Sequence, residues 1–208
     1  MNYIKLTEEL VSKALKAGAN AAEVYLGTAR NLSVQIQDGE IETVEEATTA
    51  GVGFRVIVDG KMGFSHCNDM QKTSLEETLQ KAIAFARLTT PDESNVLPQN
   101  QPHQEVEGLF DESIRSVSME KKIALATELE KLALSKEGVS KSSGSGFGES
   151  DGEVFIANSN GLLKSYRSSG CSMGVSVVAE KDDQKNTGSE YCSRRFFADL
   201  LSPEEIAS

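Results

Sequence analysis

The sequence predicts an α+β protein in which antiparallel meander sheets pack against helices. A unit of one helix plus three to four strands is expected twice, as a pseudo-repeat. Apolar and polar residues alternate over residues 31–37, which is the period of a strand with one buried face. Asp-Gly dipeptides at 38–39 and 59–60 readily supply the positive φ angles of tight hairpin turns. The chain is therefore expected to fold back on itself twice between residues 31 and 65.

A helix and a short strand are expected before this meander. The helix is predicted to begin near Leu6 or Thr7, because apolar residues between 10 and 15 recur at helical spacing. Gly18 lies where a left-handed C-terminal cap is expected. The strands are then expected over residues 21–26, 31–37, 40–48, 52–58 and 61–65.

A second helix and a proline-rich segment follow. Residues 74–77 have the pattern of a capping box, and the helix is expected to end before Pro91. Three of the four prolines lie between residues 89 and 116, which indicates a linker or a long surface excursion. Within it, residues 109–111 form one apolar knot that is expected to pin the segment to a neighbouring surface.

The second half is expected to repeat the first. A helix is predicted from Ser118 to about Lys136, followed by a weak edge strand over residues 139–148 that is rich in Ser and Gly. Further strands are predicted over residues 153–157, 162–168, 170–180 and 185–193, with turns at 158–161 and 182–183. Ser202 and Pro203 have the pattern of a helix start, but one turn does not stand alone as a helix. Either the tail is frayed or this is the front part of a longer protein, and we expect the latter.

Four regions are predicted from these elements. They are a first helix-plus-meander unit with its closing helix (1–90), a proline-rich linker (91–117), a second helix-plus-meander unit (118–201) and the start of a truncated C-terminal region (202–208).

Composition narrows the classes of function. The formal net charge is −11, with 21 Lys and Arg dispersed among 32 Asp and Glu, which disfavours direct binding to nucleic acid. No apolar run approaches the length of a membrane span, and the N-terminus has no apolar signal core. Three cysteines without close pairing favour reduced thiols in a cytoplasm.

The residue types and their spacing predict no catalytic, cofactor-binding or metal residue in this chain. His66 and Cys67 are adjacent on a predicted strand, so their side chains point to opposite faces and do not suit one ion. His103 lies in the proline-rich segment, where a solvated side chain is expected. The glycine-rich stretches 51–53 and 144–148 lack the spacing of a phosphate loop.

Two features are candidates for a substrate groove. Arg55 lies in an apolar strand on the face opposite Phe54, where it could grip a carboxylate or a partner chain. An ordinary solvent-facing arginine is the alternative. Asn158, Ser159 and Gly161 belong to the second candidate, a turn that could equally be only structural.

Several stretches taken in order resemble the TldD/PmbA family, and within it the N-terminal portion of the PmbA (TldE) branch. They are GANAAEV (18–24), DGEIE (38–42), AGVGFRV (50–56), FARLTTPD (85–92), LFD (109–111), VFIANSNG (154–161) and SVVAE (176–180). The set spans nearly the whole chain.

The resemblance implies an N-terminal region of a PmbA/TldE-like subunit of a cytoplasmic metallopeptidase that acts in proteolysis and peptide maturation. It implies zinc in the assembled complex, held by the His-Glu-x-x-x-His motif of a TldD-type partner, which this sequence lacks. The implied partners are a TldD-type subunit or a second copy of this chain, with a peptide substrate that exposed sheet edges could bind by strand addition. The alternative is a non-enzymatic regulator or scaffold of the gyrase-modulator type that binds a protein client.

Overall fold

The computed structural model describes residues 2–102, 104–182 and 184–208. His103, predicted to be solvated, and Asp183, predicted to lie in a turn, fall outside the described residues. The described elements are α1 (Tyr3–Lys16), β1 (Ala21–Gln37), β2 (Glu40–Val58), β3 (Lys61–Cys67), α2 (Lys72–Leu88), α3 (Met119–Leu134), β4 (Val139–Asn158), β5 (Leu163–Lys181), β6 (Gln184–Arg194) and α4 (Pro203–Ile206). Short 3₁₀ turns occupy Ile114–Ser116 and Phe197–Asp199.

The predicted α+β class is confirmed. Among the described residues the strands form a six-stranded sheet in the order β3-β2-β1-β4-β5-β6. A helix followed by three strands occurs twice along the chain, as α1-β1-β2-β3 and α3-β4-β5-β6. None of the described helices is both long and apolar enough to cross a membrane.

The turns that organise the first meander are confirmed. Asp38 and Gly39 have φ angles of 55° and 78°, and Asp59 and Gly60 have φ angles of 51° and 74°. Positive φ at both central residues is the signature of the type I′ turn, whose twist matches that of the flanking strands. Gly18 ends α1 with φ at 104°, as predicted.

The predicted strand lengths are wrong. The strands expected at 21–26 and 31–37 are one strand of 17 residues, and those at 40–48 and 52–58 are one strand of 19 residues. The same holds for β4 and β5, with 20 and 19 residues. Interruptions in the apolar alternation suggested strand ends, but ladder hydrogen bonds join backbone groups and continue through polar residues.

The predicted edge strand at 139–148 is also wrong, because it belongs to β4, which lies between β1 and β5. Its small residues suit an interior strand that a helix approaches closely. Ser145 is buried and its hydroxyl donates a hydrogen bond of 2.7 Å to the carbonyl oxygen of Ala126 in α3.

Two predicted helix starts need correction. The first helix begins at Tyr3, because the Asn2 side chain caps it by accepting a 3.1 Å hydrogen bond from the N–H of Lys5. The capping box predicted at residues 74–77 is absent. Instead α2 begins at Lys72, and the Ser74 hydroxyl donates to Asp69 at 2.6 Å.

The other helix predictions agree with the structure. Helix α2 ends at Leu88, before Pro91, and Ser118 caps α3 by accepting a hydrogen bond from the N–H of Lys121. Ser202 caps α4 and forms a reciprocal capping box with Glu205.

The chain groups into two compact units, each assembled from three segments. Unit 1 comprises Met1–Ala29, Thr48–Glu105 and Gly152–Arg167, whereas unit 2 comprises Arg30–Ala47, Val106–Asp151 and Ser168–Ser208. The four long strands contribute residues to both units. These units group residues by their position in space, whereas the four expected regions are consecutive stretches of sequence. The boundaries of those four regions stay a prediction.

Each unit has its own core. The core of unit 1 joins apolar residues of α1 and α2 to one face of its strands, including Leu10, Val24, Phe54, Leu79 and Ile83. The core of unit 2 joins α3 to its strands, including Val34, Ile114, Leu129, Phe147 and Met173. In unit 2 the predicted knot is held in place, since Leu109 accepts from the N–H of Ser169 and Asp111 accepts from that of Phe197.

Candidate functional site

Unit 1 presents one sheet face to the core and the other outward. Phe54 and Val56 of β2 are fully buried against the helices, so Arg55 between them projects from the opposite face. Phe64 of β3 lies directly across from Arg55 in the antiparallel ladder. We call the surface formed by Tyr25, Arg55, Met62, Phe64, His66 and Tyr166 the outer face.

Arg55 is engaged within unit 1. Its Nη2 atom donates a 2.6 Å hydrogen bond to Oε1 of Glu23 on β1, and the Glu23 side chain is only 10% exposed. Within the part of the chain that the structure describes, Nε of Arg55 and Oε2 of Glu23 have no hydrogen-bond partner. The two opposite charges of the pair therefore cancel at this point of the outer face. Nε of Arg55 remains as an unpaired donor and Oε2 of Glu23 as an unpaired acceptor among the described residues.

Sequence reasoning selected Arg55 but missed Glu23. The available signal was the position of Glu23 between the apolar residues Ala22 and Val24, which mirrors the position of Arg55 between Phe54 and Val56. Opposite charges in two adjacent apolar strands are candidates for a cross-strand ion pair, but the register that would bring them together is not contained in the sequence.

The outer face carries exposed aromatic and apolar side chains. Phe64, Tyr166, Tyr25 and Met62 are 56%, 51%, 48% and 42% exposed. The Phe64 ring covers Gly53, with a ring atom 3.2 Å from where a Cβ would stand, and it stacks on His66 at a centroid distance of 5.9 Å. Partial burial and the neighbouring Tyr166 raise the pKa of Tyr25 above its ordinary value. Aromatic residues, Met and Arg are the types enriched in protein interfaces.

The predicted turn at 158–161 is present. Asn158 is buried, its Oδ1 accepts from the N–H groups of Asn160 and Leu162, and its Nδ2 donates to the carbonyl of Pro98 at 2.8 Å. Ser159 accepts from the N–H of Ala22 at 3.2 Å, and Gly161 has φ at 81°. These contacts shape the turn and hold the proline-rich segment, while a role in a substrate groove stays a prediction.

The described residues contain no group of three or more His, Cys, Asp or Glu side chains that could hold a metal ion. His66 stacks on Phe64, and the Cys67 thiol donates to the carbonyl of Asp69 at 3.4 Å. The side chains of the described residues therefore do not form a zinc site.

Unit 2 contains a buried ionic cluster that sequence reasoning did not find. Arg30 Nη1 donates to Glu149 at 2.6 Å and to Asp151 at 3.2 Å, while its Nε donates to Glu46 at 2.7 Å. Lys122 of α3, 3% exposed, lies 2.6 Å from the other oxygen of Glu149, which is fully buried. Arg115 also binds Asp151.

Glu149 and Asp151 of the cluster lie on β4, whose first part is rich in Ser and Gly and was expected to be a weak edge strand. Burial would raise the pKa of Asp151, but hydrogen bonds from Arg115 and Arg30 outweigh it, so that pKa is lowered. The hydrogen bonds that Arg30 donates to Glu46 and Glu149 raise its pKa despite burial. Each buried charge thus has a partner, as burial in a folded protein requires.

Unit 2 also has an open groove of about 340 Å³ lined by small polar residues. Its floor includes Ser33 and Gln35 of β1, Gly146 of β4, and Ser172 and Gly174 of β5. Short side chains leave the backbone of three neighbouring strands close to the surface. No charged side chain lines the groove among the residues described.

The sequence matches two models of one family. Residues 22–86 match the PmbA/TldA metallopeptidase domain 1, and residues 112–208 match the PmbA/TldA metallopeptidase central domain. The chain is 30% identical over 200 residues to the metalloprotease PmbA homolog of Haemophilus influenzae, covering 93% of this chain and 43% of that protein. It is 28% identical to the metalloprotease PmbA of Escherichia coli, covering 98% of this chain and 46% of that protein.

Solved structures share the fold. A Bacteroides thetaiotaomicron protein described as a modulator of DNA gyrase has a TM-score of 0.87 at 23% identity, covering 97% of this chain and 48% of that one. TldE from Thermococcus kodakarensis has a TM-score of 0.83 at 22% identity, covering 96% and 45%. The chain thus spans less than half the length of these relatives. With two consecutive family domains in order and the same fold throughout, the chain belongs to the PmbA/TldD family, as a PmbA/TldE-like member.

Proposed function

We propose that this chain is the N-terminal region of a PmbA/TldE-like subunit of a TldD/PmbA-type metallopeptidase. The complex acts in the cytoplasm in proteolysis and peptide maturation, with a TldD-type subunit or a second copy as its partner and peptides as its substrates. The observation that carries the proposal is the ordered match of two consecutive metallopeptidase-family domains over most of the chain.

In this proposal the zinc belongs to the assembled complex and supplies the hydrolytic chemistry there. This chain supplies sheets that frame the space in which a peptide is held. Two observations support a framing role. The exposed aromatic side chains of the outer face are of the kind that contacts another polypeptide. The positive and negative side chains of the ionic cluster in unit 2 neutralise one another, which suits a rigid support.

The test measures zinc-dependent peptide cleavage by the full-length protein, alone and with a TldD-type partner. Products are followed by mass spectrometry, before and after chelation and after zinc is restored. We expect cleavage that requires both chains and zinc. A partner whose cleavage rate and substrate range do not change when this protein is omitted would contradict the proposal.

A second candidate is a non-enzymatic regulator or scaffold that binds a protein client. It is favoured by the description of the Bacteroides structure, and of a Thermotoga maritima structure with a TM-score of 0.83, as modulators of DNA gyrase. Affinity capture by the full-length protein discriminates the two. Recovery of gyrase without a TldD-type subunit would favour the regulator, whereas the subunit alone would favour the peptidase. The net charge of −11 argues that a regulator would act through protein contacts rather than by gripping DNA.

A further inference from the structure

We propose that the outer edge of β3 is a binding site for an extended, uncharged peptide, which adds to the sheet as an additional strand. This inference rests on the proposed function, because it assigns a place to the peptide that such a complex handles. It concerns unit 1 only, and its evidence is the backbone of the edge strand together with the side chains beside it.

The hairpin between β2 and β3 determines which backbone groups are free. Val58 pairs with Lys61 across the two-residue turn, and such a closing pair exchanges hydrogen bonds. Hydrogen-bonded and non-hydrogen-bonded pairs then alternate along an antiparallel ladder. Phe64, opposite Arg55, and His66, opposite Gly53, therefore belong to non-hydrogen-bonded pairs. Their N–H and C=O groups point away from β2, toward the outer edge.

The neighbouring outward carbonyl shows that this edge accepts hydrogen bonds. Met62 belongs to the same set of pairs, and its carbonyl oxygen accepts a 3.0 Å hydrogen bond from the hydroxyl of Thr89. Among the described residues, β3 has a neighbouring strand on one side only. The outward groups of Phe64 and His66 therefore have no strand to pair with among the residues that the structure describes.

The β3 edge also lacks the usual protection against strand addition. Edge strands are normally blunted by charged residues, by proline or by a bulge. The charged residue of β3 is Lys61 at its first position, whereas residues 62–67 contain neither a charge at pH 7, with His neutral, nor a proline. The opposite edge of the sheet, β6, contrasts with it, since it includes Lys185, Glu190 and Arg194. Over residues 64–66, beyond Lys61 and beyond the Met62 carbonyl that Thr89 occupies, the edge can pair with another strand.

The side chains beside the edge define what the occupant is. Met62, Phe64 and His66 all project from the outer face and are exposed, so an added strand would place alternate side chains against a thioether and two rings. On the other face, α2 packs directly on Gly63 and supports the strand. Apolar contact on one side and backbone pairing along the edge suit an extended segment with apolar residues at alternate positions.

The probe is a fluorescently labelled acetyl-Val-Thr-Val-Thr-Val-Thr-amide that is N-methylated at every Thr. Such a peptide retains one hydrogen-bonding edge and cannot stack into fibrils. We expect it to bind the 208-residue chain saturably, measured by fluorescence anisotropy. The same peptide N-methylated at every residue has no edge, and its affinity should be at least about tenfold weaker. Equal affinities of the two peptides would overturn the proposal.

A matched pair of variants tests the edge of the protein. His66→Pro removes the outward N–H and the imidazole, whereas His66→Ala removes the imidazole alone. We expect His66→Pro to weaken binding about tenfold or more and His66→Ala to weaken it by about threefold or less. Equal weakening by the two variants would assign the effect to the ring and contradict strand addition.

A measurement on the unaltered chain covers the case in which His66→Pro does not fold. Amide hydrogen exchange followed by NMR should slow at Phe64 and His66 when the peptide is added, and stay unchanged at Ser65, whose N–H faces β2. Absence of this alternation would overturn the site. A second result would also overturn the peptide site: sedimentation shows a dimer of this chain, His66→Pro abolishes that dimer, and no peptide binds. The occupant of the edge would then be a second copy of the chain. None of these tests involves cleavage, so the site and the proposed peptidase complex fail independently.

Discussion

Glu130 in α3 binds the turn between β1 and β2 through the backbone of Gly39. One carboxylate oxygen accepts the N–H of Gly39 at 2.7 Å, and the other accepts the N–H of Asp38 at 3.2 Å. Glu130 is 1% exposed, so this carboxylate reaches the turn from a buried position on the helix. The turn and the helix both belong to unit 2 and are thereby locked together.

Glu130→Ala should destabilise the chain, because both N–H groups of the turn lose their acceptor. We expect a decrease of about 1–3 kcal/mol in the free energy of unfolding, measured by urea denaturation. Glu130→Gln keeps one acceptor oxygen and should lose less. Glu128→Ala on the same helix is the control, since Glu128 is exposed and its removal should change stability by about 0.5 kcal/mol or less. Equal losses at 128 and 130 would contradict the role of the turn contact.

Gly63→Ala should be among the most damaging single changes in unit 1. A Cβ at this position would stand 2.1 Å from the carbonyl oxygen of Ala82 and 2.4 Å from the backbone nitrogen of Ala86. Both contacts are with backbone, so α2 would have to move off β3. We expect a loss of about 3 kcal/mol, or failure to fold, in thermal and urea unfolding. Ser65→Ala, two residues along the same strand, should be tolerated; a tolerated Gly63→Ala would contradict the close helix–strand contact.

The ionic cluster of unit 2 should make stability depend on pH in the acid range. The lowered pKa of Asp151 means that the folded state holds this carboxylate ionised more strongly than the unfolded state does. Its stabilising contribution is therefore complete above the unfolded pKa of about 3.9 and is lost as pH falls through the lower folded value. Unfolding free energies measured between pH 2.5 and pH 7 should thus fall less steeply with acidification in Asp151→Asn than in the unaltered chain. Parallel profiles would contradict this assignment.

Replacing only one partner of the buried Lys122–Glu149 pair should strongly reduce the free energy of unfolding. Lys122→Met leaves Glu149 with Arg30 alone in a buried site, and we expect a loss of about 3 kcal/mol. Adding Glu149→Gln to Lys122→Met removes the buried carboxylate that has lost one of its two cations, so the double variant should lose less than the sum of the single variants. Strict additivity in the double-mutant cycle would contradict a direct interaction.

The thiol of Cys171 should be inert in the folded chain. Burial, together with the negative charges of Asp111 and Glu149, raises its pKa to about 11. Because the thiolate is the reactive form, alkylation at pH 8 should be slow until the chain unfolds. Peptide mapping by mass spectrometry after brief iodoacetamide treatment checks this. Rapid native modification of Cys171, at the rate seen in urea, would contradict its burial.

The parts of the fold that could be predicted are those in which local backbone chemistry decides the structure. Asp-Gly at 38–39 and at 59–60, and Ser202 before Pro203, act through their own φ angles or side-chain caps and need no distant partner. The strand bounds could not be predicted because pairing with a neighbouring strand carries residues 27–30 through the polar gap. The start of α2 was predicted wrongly for a similar reason. The Ser74 hydroxyl, which the capping pattern assigned to the helix N-terminus, instead donates a hydrogen bond to Asp69 outside the helix.

In the candidate site too, local features could be predicted from the sequence and contacts between distant segments could not. Alternation within β2 placed Arg55 on the face opposite Phe54, as the structure has it. Its partner Glu23 is 32 residues away, and the six residues of the unit 2 cluster come from five separate elements. Register between distant segments decides such pairs, and a single sequence does not contain it. The need for glycine at position 63 could not be predicted for the same reason, because the helix that packs against it begins nine residues later.

The three-segment make-up of each unit has a practical consequence for anyone who wishes to divide this protein. A cut at any peptide bond between residues 91 and 117 leaves the front piece without 152–167 and the rear piece without 30–47. Each half would then lack strands that complete its own interior, and exposed apolar surface would invite aggregation. Shortened versions should therefore be made by trimming surface loops, since neither unit is one uninterrupted stretch of polypeptide.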